Sequence, residues 1–221
     1  VPHKENEAIE TQAKWIEVLS NKNAYWHHDG NLNRPYALLT SGKISNFFAN
    51  CSVITKSPLL LTDAASDLFR KMTEQKDCLP DAFVGSAYGA ITLAYELARH
   101  GEDYWGGDTE AWFTAKGEDD TMELDRFEFS SNIKSVIMVE DVITTFKTTR
   151  ASIAALRPKA HFGHAKILPY VLCIVNRSGQ SEIDGFKIIS LIEVNNALTW
   201  EPGQNPFLGK EPERVSPVRP K

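Results

Sequence analysis

No stretch of this chain approaches the ~18 consecutive apolar residues that a membrane-spanning helix needs. The first twelve residues, VPHKENEAIETQ, hold no apolar signal core. Cysteine is scarce: Cys51, Cys78 and Cys173 are widely spaced, odd in number and form no CxxC pair. They suggest neither a zinc site nor a disulfide framework, and a reducing cytoplasm is the expected compartment. Basic charge is also short. Lys and Arg number 24 against 29 Asp and Glu, a net charge of −5. No cationic excess exists to neutralise phosphates, so neither nucleic acid nor membrane is an expected partner. No internal repeat or composition break divides the 221 residues, and 42% are hydrophobic, enough for one sizeable core. One domain over 1–221 is expected, with a Pro-rich C-terminal tail over 200–221.

What is present centres on Val136 to Arg150, VIMVEDVITTFKTTR. Val136, Ile137, Met138 and Val139 suit a strand buried on both faces of a parallel sheet. The chain then turns polar at Glu140 and Asp141. A helical pattern with Ile153 and Leu156 on one face follows, and Pro158 is expected to stop it. Strand, polar loop, helix N-terminus is a geometry that receives phosphate, because the first turn has free N–H groups at the positive end of the dipole. Two acids just before such a loop would repel a bare phosphate. They make sense for a ligand that also carries hydroxyls or a metal, with acids for a ribose diol and amides for its 5′-phosphate.

The rest of the chain alternates strands and helices. Residues 5 to 20 place Ala8, Ile9, Ala13, Trp15, Ile16 and Leu19 at helical steps. His27, His28 and Asp29 follow; adjacent histidines on a strand point to opposite faces and do not readily share an ion, so a loop with packed aromatics is expected. Ala37 to Asn50, ALLTSGKISNFFAN, predicts a strand, a Ser41-Gly42 turn with Lys43, and a second strand carrying Phe47 and Phe48. Residues 58 to 75 form an amphipathic helix beginning near Pro58. Ala82 to Val84 is a strand, and the small-residue loop from Gly85 to Gly89 leads into a helix over Ala90 to Arg99. Gly101 to Asp108 is polar and glycine-rich, and Ala111 to Thr114 is a strand. An acidic tip, Glu118 to Asp120, and an extended return over Met122 to Phe129 follow. Ala165 to Asn176 is an apolar strand ending at Arg177, and Gly185 to Val194 is the last. An α/β fold with a central, mostly parallel sheet flanked by helices is predicted.

Taken in order, these motifs resemble the type I phosphoribosyltransferases, and among them the orotate phosphoribosyltransferases, from about Ala24 onward. Those enzymes share the four apolar residues, the acid pair and the Thr-rich loop that bind 5-phosphoribosyl-1-diphosphate (PRPP), the Ser-Gly motif with an aromatic pair, and an arginine ending a later strand. The resemblance implies transfer of the 5-phosphoribosyl group from PRPP to orotate, giving orotidine 5′-monophosphate and pyrophosphate. It implies Mg²⁺ carried by PRPP rather than bound directly by the protein, and a homodimer. Glu140, Asp141 and Lys116 would be catalytic. PRPP would contact Lys43, Tyr88, Gly89 and Lys116, the acids, and the loop Val142, Ile143, Thr144, Thr145, Phe146, Lys147 and Thr148. Phe47, Phe48, Thr144 and Arg177 would hold orotate, whose carboxylate suits the bidentate fork of arginine. A small hood, partly from residues 1–55 and partly from the segment after Thr114, would cover the site.

The chain departs from the family's pattern in four places. Thr40 stands where Lys or Arg usually precedes Ser-Gly, leaving Lys43 to supply charge. Phe146 stands at the loop glycine, so that either its side chain points outward or the phosphate site is altered. In the hood, FTAKGEDDTMELDRF lacks the Arg-Lys, Lys and His set of the better-known branch. It looks more like a second branch, yet with Ala115 for Glu and Asp125 for Arg, leaving Lys116 and Arg126 as the cations for pyrophosphate. The tail reads Asn205-Pro206-Phe207-Leu208 in place of that branch's Cys-Pro-Xaa-Cys, so no metal is expected there. These departures keep two other functions open: a type I phosphoribosyltransferase for another base, and a non-catalytic descendant that binds PRPP or a nucleotide.

Overall fold

A computed structural model describes residues 2–31, 34–39, 41–119, 121–124, 126–127, 132–162 and 164–204. Helix α1 (Pro2–Asn21) leads into four short strands, β1 (Tyr25–His27), β2 (Ala37–Leu38), β3 (Ile44–Ser45) and β4 (Phe47–Ala49). A single turn, α2 (Ser52–Thr55), precedes α3 (Pro58–Thr73). Then come β5 (Ala82–Ser86), α4 (Ile91–Trp105), β6 (Glu110–Lys116), β7 (Met122–Glu123), β8 (Ser135–Ile143), α5 (Lys147–Phe162), β9 (Lys166–Asn176), β10 (Glu182–Ile183), β11 (Phe186–Glu193) and β12 (Thr199–Trp200).

The main sheet has the order β10-β11-β9-β8-β5-β6-β7. Its five inner strands pair in parallel, while β10 and β7 close the two edges antiparallel. Burial on both faces explains the unbroken apolar runs of β5, β8 and β9. The period of two divides β8 between two cores. Ile137 and Val139 join the core built with Trp15, Leu68 and Leu97 from α1, α3 and α4. Val136 and Met138 join the core built with Ile153 and Leu156 from α5. The Thr-rich loop and the small-residue loop therefore emerge side by side at the carboxyl ends of β8 and β5. Among the described residues no helix is long and apolar enough to cross a membrane.

Two small sheets sit beside this frame, β1 with β4 and β12-β3-β2. The sequence predicts one hairpin carrying Phe47 and Phe48; the structure splits it. Strand β3 pairs with β2, but β4 pairs with β1. Asn46 makes the break: its backbone N–H donates to Leu198 (3.2 Å), its side chain donates to the Asn196 carbonyl (2.8 Å), and it accepts from the Leu198 N–H (2.6 Å). The chain end beyond β11 is thereby tied to the N-terminal strands. The histidines are used in packing: His28 stacks on Tyr36 with ring centroids 4.1 Å apart, and His27 meets Phe47 edge-on.

Other boundaries moved for physical reasons. Strand β8 does not end before the acids but continues to Ile143, because Val142 and Ile143 keep register with Val175 and Asn176 of β9. Helix α4 continues through Gly101 to Trp105 and ends at Gly106, whose φ of 70° gives the left-handed cap. A Cβ at Gly101 would meet Trp105 and Thr109 within about 3 Å, so glycine here serves packing, not a loop. Pro158 does not stop α5; it lies inside the helix. Leu156 and Ala160, buried on either side of it, hold the helical course, and one backbone bond is lost. The expected return over Met122 to Phe129 is a strand only at Met122–Glu123 among the described residues. Thr40, Asp125 and the tail over 205–221 lie outside the described residues.

Candidate active site

The acid pair sits in the last turn of pleat before the loop, and the pleat sends the two carboxylates apart. Glu140 turns toward α5 and is 5% exposed. Its Oε1 accepts from the Ser86 hydroxyl (2.7 Å) and the Thr149 hydroxyl (2.8 Å). Ser86 also touches the Ser152 hydroxyl (3.1 Å), which in turn touches that of Thr114 (2.8 Å). This hydroxyl chain spans β8, β5, β6 and α5. Burial pushes the Glu140 carboxyl up to about 7, although the hydrogen bonds from Ser86 and Thr149 pull the other way; Asp141 adds to the rise.

Asp141 is half-buried on the opposite face. Burial raises its carboxyl too, opposed by the Val142 N–H, which donates to Oδ1 at 2.8 Å. A Cβ at Gly89 would collide with this carboxylate. That collision explains the glycine: only a bare backbone lets the small-residue loop close on the acid. Before it comes a cis peptide between Ala87 and Tyr88, and Tyr88 is 76% exposed.

Thr144, Thr145, Lys147 and Thr148 are exposed, and Ile143 is buried. The Arg150 N–H donates to the Phe146 carbonyl (2.9 Å), which leaves the preceding N–H groups as the ones a helix start offers to an anion. Phe146 does not point outward. It is 2% exposed and packs against Phe186 in the α5 core, with centroids 6.4 Å apart. Its backbone keeps the φ of 64° that glycine adopts freely. Lys116, Gly117, Thr121 and Met122 from the β6–β7 arm face Lys147 and Thr148 across a cleft of about 160 Å³. Two ammonium-bearing chains thus border one cleft large enough for several waters or a phosphate-sized group. Arg126 is exposed.

Arg177 lies where β9 ends. Its backbone N–H donates to the Ile143 carbonyl (2.9 Å), so it adjoins the start of the Thr-rich loop. Its guanidinium reaches the small sheet, donating to Thr199 (2.9 Å) and Ser45 (3.4 Å) and standing 5.5 Å over the ring of Phe47. Burial lowers its pKa, and among the described residues no carboxylate pairs with it. Phe47 is fully buried, so it supports Arg177 from below and presents no open face. Phe48, paired across from Trp26, is half-buried on the other side of its strand. Lys43 pairs with Glu201 at 2.6 Å, at the rim formed by β3 and β12. The structure therefore gathers Gly89, Asp141, the loop and Arg177, with Lys116 opposite. Ser86, Thr149, Ser152, Ser45 and Thr199 were missed from sequence. Ser86 lies inside the motif from Gly85 to Gly89, but nothing local marks Thr199, which comes 22 residues after Arg177 and is held in place by pairing with Ser45 of the N-terminal strands.

This fold is that of the type I phosphoribosyltransferases: an orotate phosphoribosyltransferase from Aeropyrum pernix superposes with a TM-score of 0.55 at 21% identity, over 81% of this chain and 93% of its own. No protein-family model matches the sequence. The chain is 32% identical over 200 residues to the orotate phosphoribosyltransferase of Caldicellulosiruptor saccharolyticus, covering 89% of this chain and 96% of that one. With the enzyme of that name from Caldicellulosiruptor bescii it shares 33% over 190 residues, 85% of this chain and 92% of the relative. The chain belongs to the orotate phosphoribosyltransferase family.

Proposed function

We propose that this protein transfers the 5-phosphoribosyl group of PRPP to orotate, releasing pyrophosphate and forming orotidine 5′-monophosphate. The observation that carries the proposal is Arg177, a half-buried guanidinium with no carboxylate among the described residues, hydrogen-bonded through its backbone to the strand that feeds the phosphate loop. A desolvated cation without a counter-ion is costly, and an anionic base supplies the missing partner. The relatives are named for orotate, which favours that base over another.

The chemistry follows from position and charge. Amides and hydroxyls from Thr144 to Thr148 hold the 5′-phosphate. Asp141 accepts from a ribose hydroxyl, and its negative charge stabilises the positive charge that develops at C1, while Glu140, on the other face of β8, ties β8 to β5 and α5 through Ser86 and Thr149. Gly89 and Tyr88 flank the pyrophosphate, toward which Lys116 closes from the β6–β7 arm. Arg177 fixes the carboxylate of the base, and no protein nucleophile is required. Bound Mg²⁺ supplies charge neutralisation at the diphosphate. Among the described residues no group of three or more His, Cys, Asp and Glu is arranged to hold an ion; Asp141, packed on Gly89, fits an ion delivered with the ligand. A cytoplasmic homodimer belongs to the same proposal. The test is orotate consumption followed by absorbance, with PRPP and Mg²⁺. Turnover by the wild type is expected, with a loss of roughly 10²-fold or more in Asp141→Asn, the range for removing one preorganised electrostatic group. An idle wild type, or a variant as fast as wild type, contradicts it.

A further inference from the structure

A phosphate loop usually closes around its ligand with glycine, yet here the left-handed position is Phe146. A bulky residue at positive φ is strained and persists only where its surroundings hold it. Three contacts do so. The ring is buried against Phe186. The Arg150 guanidinium lies 5.6 Å over the ring. Arg150 Nη1 also donates to the carbonyl of Thr145, the residue before it, at 3.0 Å. Arg150 is in turn held from outside by Asp184, with Nε donating to Oδ2 at 2.5 Å and Nη2 to Oδ1 at 3.4 Å. Asp184 sits in the β10–β11 turn, at the far edge of the sheet, with a φ of 55° of its own.

We propose that Arg150 and Asp184 are positioning residues for PRPP, a clamp that replaces loop glycine and holds the phosphate-binding amides in place. The ion pair is half-exposed on both sides, 50% and 49%, and such pairs add little to global stability. Its effect is local. It removes rotational freedom from the one guanidinium that spans the Thr145 carbonyl and the Phe146 ring. The peptide between Thr145 and Phe146 is then fixed, and with it the direction of the N–H groups at Phe146 and Lys147. The contacts of both residues are with the loop and with each other, so the clamp acts on PRPP affinity rather than on the chemical step.

This rests on the proposed PRPP-dependent activity, and the test separates the two. PRPP binding is measured by calorimetry in Mg²⁺, without orotate, for wild type, Arg150→Ala, Arg150→Lys, Asp184→Ala and the double alanine variant. Orotate turnover is measured beside it. Arg150→Ala is expected to weaken PRPP roughly ten-fold, the scale of one lost charge-assisted hydrogen bond, with kcat nearly unchanged. Asp184→Ala is expected to weaken it about three-fold and Arg150→Lys by an intermediate factor, since a point charge cannot make all three contacts. The double variant is expected to resemble Arg150→Ala alone, because the two residues act as a unit. If a variant is too unstable to purify, Arg150→Lys and Asp184→Asn carry the same comparison. PRPP affinities equal to wild type, or losses confined to kcat or to thermal stability, overturn the clamp. A wild type that binds PRPP but leaves orotate untouched contradicts the activity while the binding series still decides the clamp. A wild type that does not bind PRPP contradicts both.

Discussion

Glu140 is a carboxyl whose burial opposes its ionisation. Folded, its carboxyl holds a proton up to about pH 7; unfolded, it gives that proton up near 4.5. The folded state is therefore favoured by this group fully below pH 4.5 and loses that advantage as the pH climbs to 7. The difference is on the order of 3 kcal/mol. Glu140→Gln keeps an oxygen for the Ser86 and Thr149 hydroxyls and removes the ionisation. Thermal unfolding at pH 4.5 and pH 8 is expected to show little change at the lower value and a more stable variant at the higher. Parallel pH profiles for the two proteins would contradict this placement of the carboxyl. Asp141, half-buried against Gly89, is the acid more open to a ligand.

At the scale of elements, α5 carries the phosphate loop at one end and Pro158 near the other. Proline leaves the Ala154 carbonyl without its helical partner and costs up to about 3 kcal/mol in a helix interior. Part of that is offset by its stiffening of the unfolded chain. Pro158 is exposed and lies eleven residues, roughly 16 Å, from Lys147. Pro158→Ala is expected to stabilise the protein by about 2 kcal/mol, a Tm rise of roughly 4–8 °C for this size, with orotate turnover unaltered. An unchanged or lowered Tm would mean the helix gains from its proline. The same helix shows why some elements were legible in the sequence and others were not. The buried strand and the loop before α5 follow from VIMV and the acids, because parallel strands need apolar residues on both faces. The end of α5 did not follow, because tertiary packing of Leu156 and Ala160 overrode the local preference of Pro158. Likewise Gly101 reads as a breaker, but the space beside Trp105 and Thr109 decided it. The four-residue step of β8 beyond Val139 depended on register with β9, which no local pattern displays.

At the scale of the molecule, the site is assembled from distant parts of the chain. Gly89 and Asp141 were each readable as motif residues; that one is glycine because of the other emerged only from their contact. Arg177 was legible as a strand-ending arginine. Its setting was not, since Ser45, Phe47 and Thr199 reach it from both ends of the chain through the Asn46 junction. The N-terminal strands and β12 thus enclose Arg177 from one side, while the sheet supplies the loop before α5. On the proposed function, selection between bases falls to the junction of these two parts, at Arg177.

The most direct measurement is therefore base selection by wild type and Arg177→Ala, with orotate and uracil each offered alongside PRPP and Mg²⁺. Wild type is expected to convert orotate and leave uracil, which lacks the carboxylate. Arg177→Ala is expected to lose roughly 10²–10³-fold in kcat/KM for orotate, the scale of a desolvated charge pair with one partner removed, while its affinity for PRPP alone stays at the wild-type value. A wild type indifferent to the carboxylate, or an Arg177→Ala variant that still consumes orotate at the wild-type rate, would contradict the assignment of Arg177 and with it the proposed substrate.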